Sequence, residues 1–461
     1  MPEYTTTLPR DIQRLIEEGR WKQLAADHLD WPDVETVAPE LVDTLLSLNK
    51  PDRVLLFRAL PRRIATEVLA SLEGETRDAL LLELTDKEAK RLLEDLNPDD
   101  RTYLLGELPG QVTQRMLNLL SPEDLAEARL LLGYPEDSVG RLMTPDYLAI
   151  KPDWTVSRAL EHIRKRGHES ETANVIYVVD KDWRLIDDMP LRRLVLADPD
   201  ARIEDIMDDT FVSLQATDDR EEAVRRMRRY DRVALPVVDT TGVLIGIVTV
   251  DDVFDVAEEE ATEDFHRVGG VVPLRSSYWE AGLSVLYRSR IVWLAALVLV
   301  NLVSSGIIAA YEEALEALVA LAFFIPLIID TGGNAGSQSA TMMIRAISTG
   351  DVKLHQWTRV LLKEAGIGLA IGVTLGAMGF ILGLIRGGAE IGMQLGSIVL
   401  LTMVIMLVLT NLIGMILPFI LTKLKLDPAV ASGPLITSIA DAVGLIVYFS
   451  IATAILGIGA G

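Results

Sequence analysis

The sequence predicts a multidomain chain of three materials: an all-α N-terminal helical solenoid, a tandem pair of similar α/β units, and an α-helical transmembrane domain of five spans. Three observations carry this reading. A leucine recurs at every twelfth position from Leu48 to Leu132, two stretches between residues 139 and 255 repeat one helix-and-strand order, and from Ile291 the apolar runs lengthen to bilayer size.

The solenoid rests on Leu48, Leu60, Leu72, Leu84, Leu96, Leu108, Leu120 and Leu132. Most are followed by a helix-start signal, NKPD, LPRR, LTDKE, NPDD, LPGQ or SPED, in which Pro and acids suit the first turn. Helices of about ten residues cannot bury a face alone and stack on their neighbours.

Charge separates the two ends of the chain. The 461 residues are 49% hydrophobic and 24% charged, with a mean hydropathy of +0.28. Residues 281 to 461 hold nine acids and nine bases, so the whole formal charge of -23 falls on residues 1 to 280, with the join near Ser276. Such acidity disfavours nucleic acid, whose phosphates are held by clustered Lys and Arg, and makes a cation the natural partner. The absence of cysteine removes disulfides, thiolate metal sites and Cys nucleophiles, leaving oxygen ligands. The N-terminal MPEYTTTLPRDIQRLIEEG has no apolar core of a signal peptide, so the front of the chain is expected in the cytoplasm.

Residues 291–310 and 365–385 carry no charge and read as spans; 317–344, 391–422 and 428–461 are longer and interrupted by polar residues. Arg288 and Arg290, then Arg345, Lys353, Arg359 and Lys363, then Lys423 and Lys425 mark the cytoplasmic side. The opposite loops hold Glu312, Glu313, Glu316, Arg386 and Glu390. The N-terminus is therefore expected inside and the C-terminus outside.

Three features break the apolar pattern. Gly368, Gly372, Gly376, Gly379 and Gly383 line one face of the third span, which suits close packing of backbones. Pro326, Asp330, Thr331, Gly332, Gly333, Asn334, Gly336, Ser337, Gln338 and Ser339 make the second span look unwound or water-lining, and Asp330 is open to either a pore role or the cap of a broken helix. Asp441, flanked by LITSIA and AVGLIVYF, is an intramembrane carboxylate and a functional candidate by default. The alternative is a protonated Asp, or one bonded to Ser438 or Asn411 as interhelical glue. No Lys, Arg or His shares the membrane interior, which argues against anions and a His relay. Mg2+ keeps several waters and binds through one or two carboxylates, so two copies of Asp441 across a dimer axis would suit it. Neither HExxH nor a converging Ser, His and Asp set is present, so no enzyme is expected.

The α/β units open GRLMTPDYLAIKPDWTVSRALEHIRKR and IEDIMDDTFVSLQATDDREEAVRRMRRY, and the second ends VALPVVDTTGVLIGIVTVDDVFDV. They resemble a tandem CBS pair, which implies adenine-nucleotide (ATP) binding at Thr249 and Asp252, with Arg192 as a further contact. The first unit departs, reading LIDDMPLRRL with Arg193 in place of the expected Asp; a pair that only dimerises and scaffolds is the other reading.

With TGGNAGSQSAT at 331–341, EATEDFH at 260–266 and PLITSIADAVGLIVY at 434–448, the chain is similar to the MgtE family of Mg2+ transporters over nearly its whole length. The resemblance implies a helical N domain (1–135), CBS 1 (136–200), CBS 2 (201–256), a connecting helix (257–283) and the membrane domain (284–461). It further implies a homodimer in the inner membrane, with Asp441, Ala440, Ser438 and Asn334 at the pore. Mg2+ sensing is implied at Asp99, Asp231, Asp252, Asp255, Glu260, Glu263, Asp264 and Asp427. Tyr103 stands where the family has an acidic partner one turn after Asp99, and Gly433 where some members have Asn. Competing readings are a broader Mn2+ or Co2+ carrier and a membrane-anchored nucleotide or metal sensor.

Overall fold

The computed structural model describes residues 8–25, 29–72, 74–274, 278 and 281–457. The first seven residues and the join near Ser276 lie outside the described residues. Two compact units emerge, Met1–Glu260 and Ala261–Gly461.

The first unit begins with a run of short helices that includes Val34–Ser47, Lys50–Ala59, Arg62–Ala70, Asp86–Asp95, Pro98–Glu107, Gly110–Leu117 and Pro122–Leu132. Each start leaves backbone N–H groups without intrahelical partners, and local side chains supply several. Asn49 accepts from Asp52 N, Ser121 from Asp124 N, and Thr85 with Glu88 forms a reciprocal capping box. The repeated leucines mark the exits. Leu48, Leu60, Leu96 and Leu108 follow the last helical residue with extended backbone, ψ 152, 144, 142 and 146°. Leu60, Leu72, Leu84, Leu96, Leu108 and Leu120 are all buried in one continuous core. Val34–Ser47 packs on Arg62–Ala70, which packs on Asp86–Asp95, which packs on Gly110–Leu117. One twelve-residue repeat is thus a helix plus an extended exit, stacked on the helix two repeats away.

The α/β part is a duplicated three-stranded sheet. The first sheet is β1 (Ala149–Ile150), β2 (Val175–Val179) and β3 (Leu185–Pro190), and the second is β4 (Leu214–Gln215), β5 (Ala234–Val238) and β6 (Leu244–Thr249). In both, the first pair is parallel, the second antiparallel, and the register slips at the same place, Val178/Val179 and Val237/Val238. β2 and β5 are buried throughout, as strands covered on both faces must be. The cluster of Val175, Tyr177, Val179 and Leu185 with Ala234, Val238, Leu244 and Ile247 joins the sheets. The departing LIDDMP forms β3, where Asp187 and Asp188 are buried opposite Val178 and Tyr177. Asp187 accepts from Asp208 N at 2.9 Å, and Asp188 pairs with Arg232 at 3.0 Å. Burial pushes both carboxyls above their ordinary range.

In the second unit, four helices among the described residues are long and apolar enough to cross a membrane: Leu283–Ala310, Val319–Ser348, Leu354–Lys423 and Gly433–Leu456. The third holds two spans. Gly388, at φ 61 and ψ -156°, breaks it where a side chain would be strained. The glycine stripe explains the reversal: a Cβ built on Gly383 would lie 2.5 Å from Gly396 Cα, and one on Gly372 2.8 Å from Val404 Cα. Residues 357–387 and 389–423 therefore run antiparallel at backbone contact, the close approach that small residues permit in lipid.

The second span corrects an expectation. Ile325–Ser348 is a continuous helix through residues 330–339; the irregular stretch lies upstream, in the 3-10 turn Val319–Phe324. Its glycines pack rather than unwind: Cβ atoms on Gly333 and Gly336 would meet Thr437 Cγ2 at 2.7 Å and Ile436 Cγ2 at 2.9 Å. In hydrocarbon an unwound turn leaves backbone groups unsatisfied, a larger penalty than the roughly 1 kcal/mol that each Gly costs a helix. Asp330 sits inside this helix, so it caps nothing.

Gly383→Ala should destabilise the hairpin of residues 357–423 by about 1–3 kcal/mol, because backbone, not a movable side chain, faces the new methyl. Gly366→Ala, which meets nothing within 4 Å, is the control and should melt like the parent. Thermal unfolding of the two purified variants checks this.

Candidate functional site

The second and fifth spans, Ile325–Ser348 and Gly433–Leu456, pack antiparallel. Ser337 Oγ donates to Gly433 O at 3.1 Å and lies 3.1 Å from Thr437 Oγ1. Further along, a Cβ on Gly444 would lie 3.6 Å from Ile328 Cγ2. This register sets Asp441 abreast of Asp330, and the two carboxylates interact electrostatically. Sequence had marked both acids without relating them.

Asp441 is eight residues into its helix, about 12 Å along the axis at 1.5 Å per residue. It is half-buried, and its Oδ1 is a buried oxygen without a hydrogen-bond partner among the described residues. The glue alternative is not formed: Ser438 Oγ instead donates to Pro434 O at 3.0 Å, and Asn411 O accepts from Ser339 Oγ. Ser438 and Ala440 are buried on the packed side of the helix. Asn334 belongs to a different surface. Asp330, Asn334, Gln338, Thr341 and Arg345 recur at helical spacing and are exposed together, a polar stripe on an otherwise apolar bundle.

One acid escaped the sequence reading. Glu364, one residue before the apolar run of the third span, is buried and accepts from Ser339 Oγ at 3.0 Å, while that hydroxyl also faces Asn411 O at 3.0 Å. Three spans meet there. Only its place next to Lys363 concealed it, since a charge at a span's edge usually faces water.

In the first unit the acids converge from four elements. Asp99 is 7% exposed, and its Oδ1 has no hydrogen-bond partner among the described residues. Burial, then Asp252, Asp100 and Glu171, push its carboxyl well above the ordinary range. Asp100 is raised to about 6 by burial, then Glu67, Asp251 and Asp255. Glu171 and Asp252 are each raised to about 7, chiefly by burial and then by acids that include Asp251 and Asp100. Glu67, Asp99 and Asp100 come from the helical repeats, Glu171 from the first α/β unit, and Asp251, Asp252 and Asp255 from the helix Val250–Val268. Among the described residues no three acidic or histidine side chains close around one point, so the acids are gathered without forming a cage.

Asp99, Asp251, Asp252 and Asp255 are therefore brought together, the last three from the dense acid run of the sequence, and Glu67, Asp100 and Glu171 join them unpredicted. No local signal distinguished those three from other surface acids. Glu260 and Glu259 instead pair with Arg220 at 2.7 and 2.8 Å, and Tyr103 donates to Glu259 at 3.1 Å. Asp231 is exposed at the left-handed end of the helix Arg220–Tyr230. In the second unit Arg267 binds both Glu263 and Asp427, and Asp264 is half-buried beside them in sequence. Thr249 Oγ1 donates to Asp252 Oδ2 at 2.7 Å, whereas Arg192 lines a surface recess with Pro190, Arg193 and Ile206. That recess includes neither Thr249 nor Asp252.

The comparisons agree on one family. The models described as divalent cation transporter, MgtE intracellular N domain and CBS domain match residues 325–451, 38–137, and 139–189 with 203–259. The magnesium transporter MgtE of Thermus thermophilus is 43% identical over 331 residues, 72% of this chain and 73% of that one. The chain belongs to the MgtE family. The Bacillus subtilis magnesium transporter MgtE is 36% identical over 71% of this chain and 72% of its own. Among solved structures, the cytosolic domain of the Mg2+ channel MgtE in complex with ATP is 35% identical, with TM-score 0.47, covering 53% of this chain and 98% of that one. The soluble part of a magnesium transporter is 28% identical, with TM-score 0.48, covering 54% and 96%. MgtE members are magnesium transporters of the membrane, and the matched descriptions concern transport, not catalysis.

Carboxyls raised to about 6 and 7 hold protons in the folded state that the unfolded chain has already released. Stability must then fall as pH rises from the ordinary carboxylate range through about 7. Without divalent cations the first unit should melt several degrees lower at pH 8 than at pH 5.5. Asp99→Asn should flatten that slope, as read by scanning calorimetry across the pH series.

Proposed function

We propose that the chain moves Mg2+ across the cytoplasmic membrane through a pore at the axis of a homodimer, and that its cytosolic acids sense the ion and close the path. The unpartnered Oδ1 of Asp441 carries the reading. A buried carboxylate oxygen without a donor is costly in lipid, and a cation or its water would satisfy it. Asp330 alongside doubles the negative charge. The exposed stripe Asp330, Asn334, Gln338 cannot face hydrocarbon, and a second copy across a two-fold axis would turn it into a water-lined wall. Mg2+ dehydrates reluctantly, so Asp441, with Asn334 along the wall and Ser438 and Ala440 shaping the packed face, would hold it through retained waters.

Sensing falls to Asp99, Asp231, Asp252, Asp255, Glu260, Glu263, Asp264 and Asp427, joined by Asp100 and Glu171. Carboxylates pressed together while protonated repel once ionised, and bridging divalent ions offset that repulsion. Closure requires tighter Mg2+ binding in the closed state than in the open one. The domain limits given above and the N-inside, C-outside orientation are part of this proposal. ATP or another adenine nucleotide at Thr249 and Asp252 is a secondary element, supported by their 2.7 Å contact and weakened by the separate position of Arg192. The broader reading, a carrier that also takes Mn2+ or Co2+, is favoured by the family description as a divalent cation transporter.

Asp441→Asn should abolish Mg2+ uptake into proteoliposomes while leaving the purified oligomer and its melting unchanged. Uptake at the parent rate would remove Asp441 from the pathway. Single-channel recording over a series of divalent ions separates channel from carrier and Mg2+ from its competitors.

A further inference from the structure

In the second unit, one cation ties the connecting helix to the entry of the fifth span. Arg267 donates through Nη2 to Glu263 Oε1, one turn back, and through Nη1 to Asp427 Oδ2. Asp427 in turn accepts Ala429 N at 2.7 Å through its other oxygen and caps the turn Pro428–Val430, which leads directly into Gly433–Leu456. The surroundings hold this junction closely. Gly270, at φ 68°, has no room for a side chain: a Cβ there would lie 2.5 Å from Trp293 Nε1 of the first span and 3.3 Å from Pro434 Cγ. A change at Asp427 is therefore delivered to the first turn of the helix that carries Asp441.

The two carboxylates that Arg267 bridges are two of the proposed Mg2+ sensors. A guanidinium and a divalent ion drawn to the same two carboxylates compete for their oxygens and repel each other, so binding of one disfavours the other. The Arg267, Glu263 and Asp427 side chains are 37%, 28% and 27% exposed, which gives the guanidinium a route to solvent and Mg2+ a route in. We propose that Arg267 is a built-in counter-cation that competes with Mg2+ for Glu263 and Asp427 and so sets the concentration at which the sensor responds. The inference rests on the reading of those acids as Mg2+ ligands. It differs from a plain structural latch in sign: removing a competitor strengthens Mg2+ binding, whereas removing a latch weakens the closed arrangement and raises the Mg2+ required.

The test is limited proteolysis of the purified full-length chain, titrated with MgCl2 at constant ionic strength, with cleavage around residues 257–283 as the readout. Arg267→Gln should lower the half-protecting Mg2+ concentration about fivefold, the scale expected for a partly exposed ion pair. Arg267→Lys, which keeps the charge and loses the fork, should shift it the same way by less, and it serves if the Gln variant fails to fold. Unchanged or raised half-protecting concentrations in both variants would overturn the competition. A parent protein whose cleavage ignores Mg2+ would overturn the sensor reading itself, and the competition with it, so the two failures are told apart by the parent arm.

Discussion

A carboxylate inside a lipid-solvated bundle must be satisfied by something other than lipid, and the membrane part is arranged around that requirement. Asp441 reaches the interior on a helix whose other polar side chains are satisfied by backbone carbonyls nearby, Ser438 by Pro434 and Thr437 by Gly433. These local bonds consume the donors that could have quenched the acid. Its Oδ1 is left without a donor among the described residues, and the neighbouring Asp330 adds a second acid instead of a counter-charge. Such an arrangement is costly in hydrocarbon, and the proposed cation path rests on it.

The same electrostatic logic recurs in the cytosolic part with a different solvent. Asp99 and Asp100 on one helix, Glu171 after the helix Val156–Arg166 and Asp252 on the helix Val250–Val268 come from three elements, so their repulsion acts between pieces of structure. The buried pair Asp188 and Arg232 marks the contrast. There a charge is matched by a guanidinium from the second α/β unit, linking the two units beside the apolar cluster that joins their sheets. Under the proposed function, the unmatched acids are where the elements respond to the ion, and the matched pair is where the fold stays fixed.

Glycine serves two opposed purposes in the spans. At Gly388 it permits a backbone that other residues resist. At Gly332, Gly333, Gly336, Gly372 and Gly383 it removes side chains so that helices touch, and the helix survives because its internal hydrogen bonds have no substitute in hydrocarbon. The polar and glycine-rich second span looked broken on composition alone for this reason. Propensity scales describe helices in water, where an unwound turn is rehydrated.

Local pattern and composition by themselves determined the acidic front and neutral apolar rear, the twelve-residue helix repeat, the duplicated α/β unit and the isolated intramembrane Asp441. Each follows from spacing or charge within a short stretch. Tertiary structure alone decided which residues meet. Asp330 stands beside Asp441, Glu364 is buried under Ser339, Glu67 and Glu171 join the cytosolic acids, and Arg267 lies between Glu263 and Asp427. Those meetings depend on the register of packed helices. Register is set by side-chain volumes summed along a whole interface, a quantity that no single stretch of sequence contains.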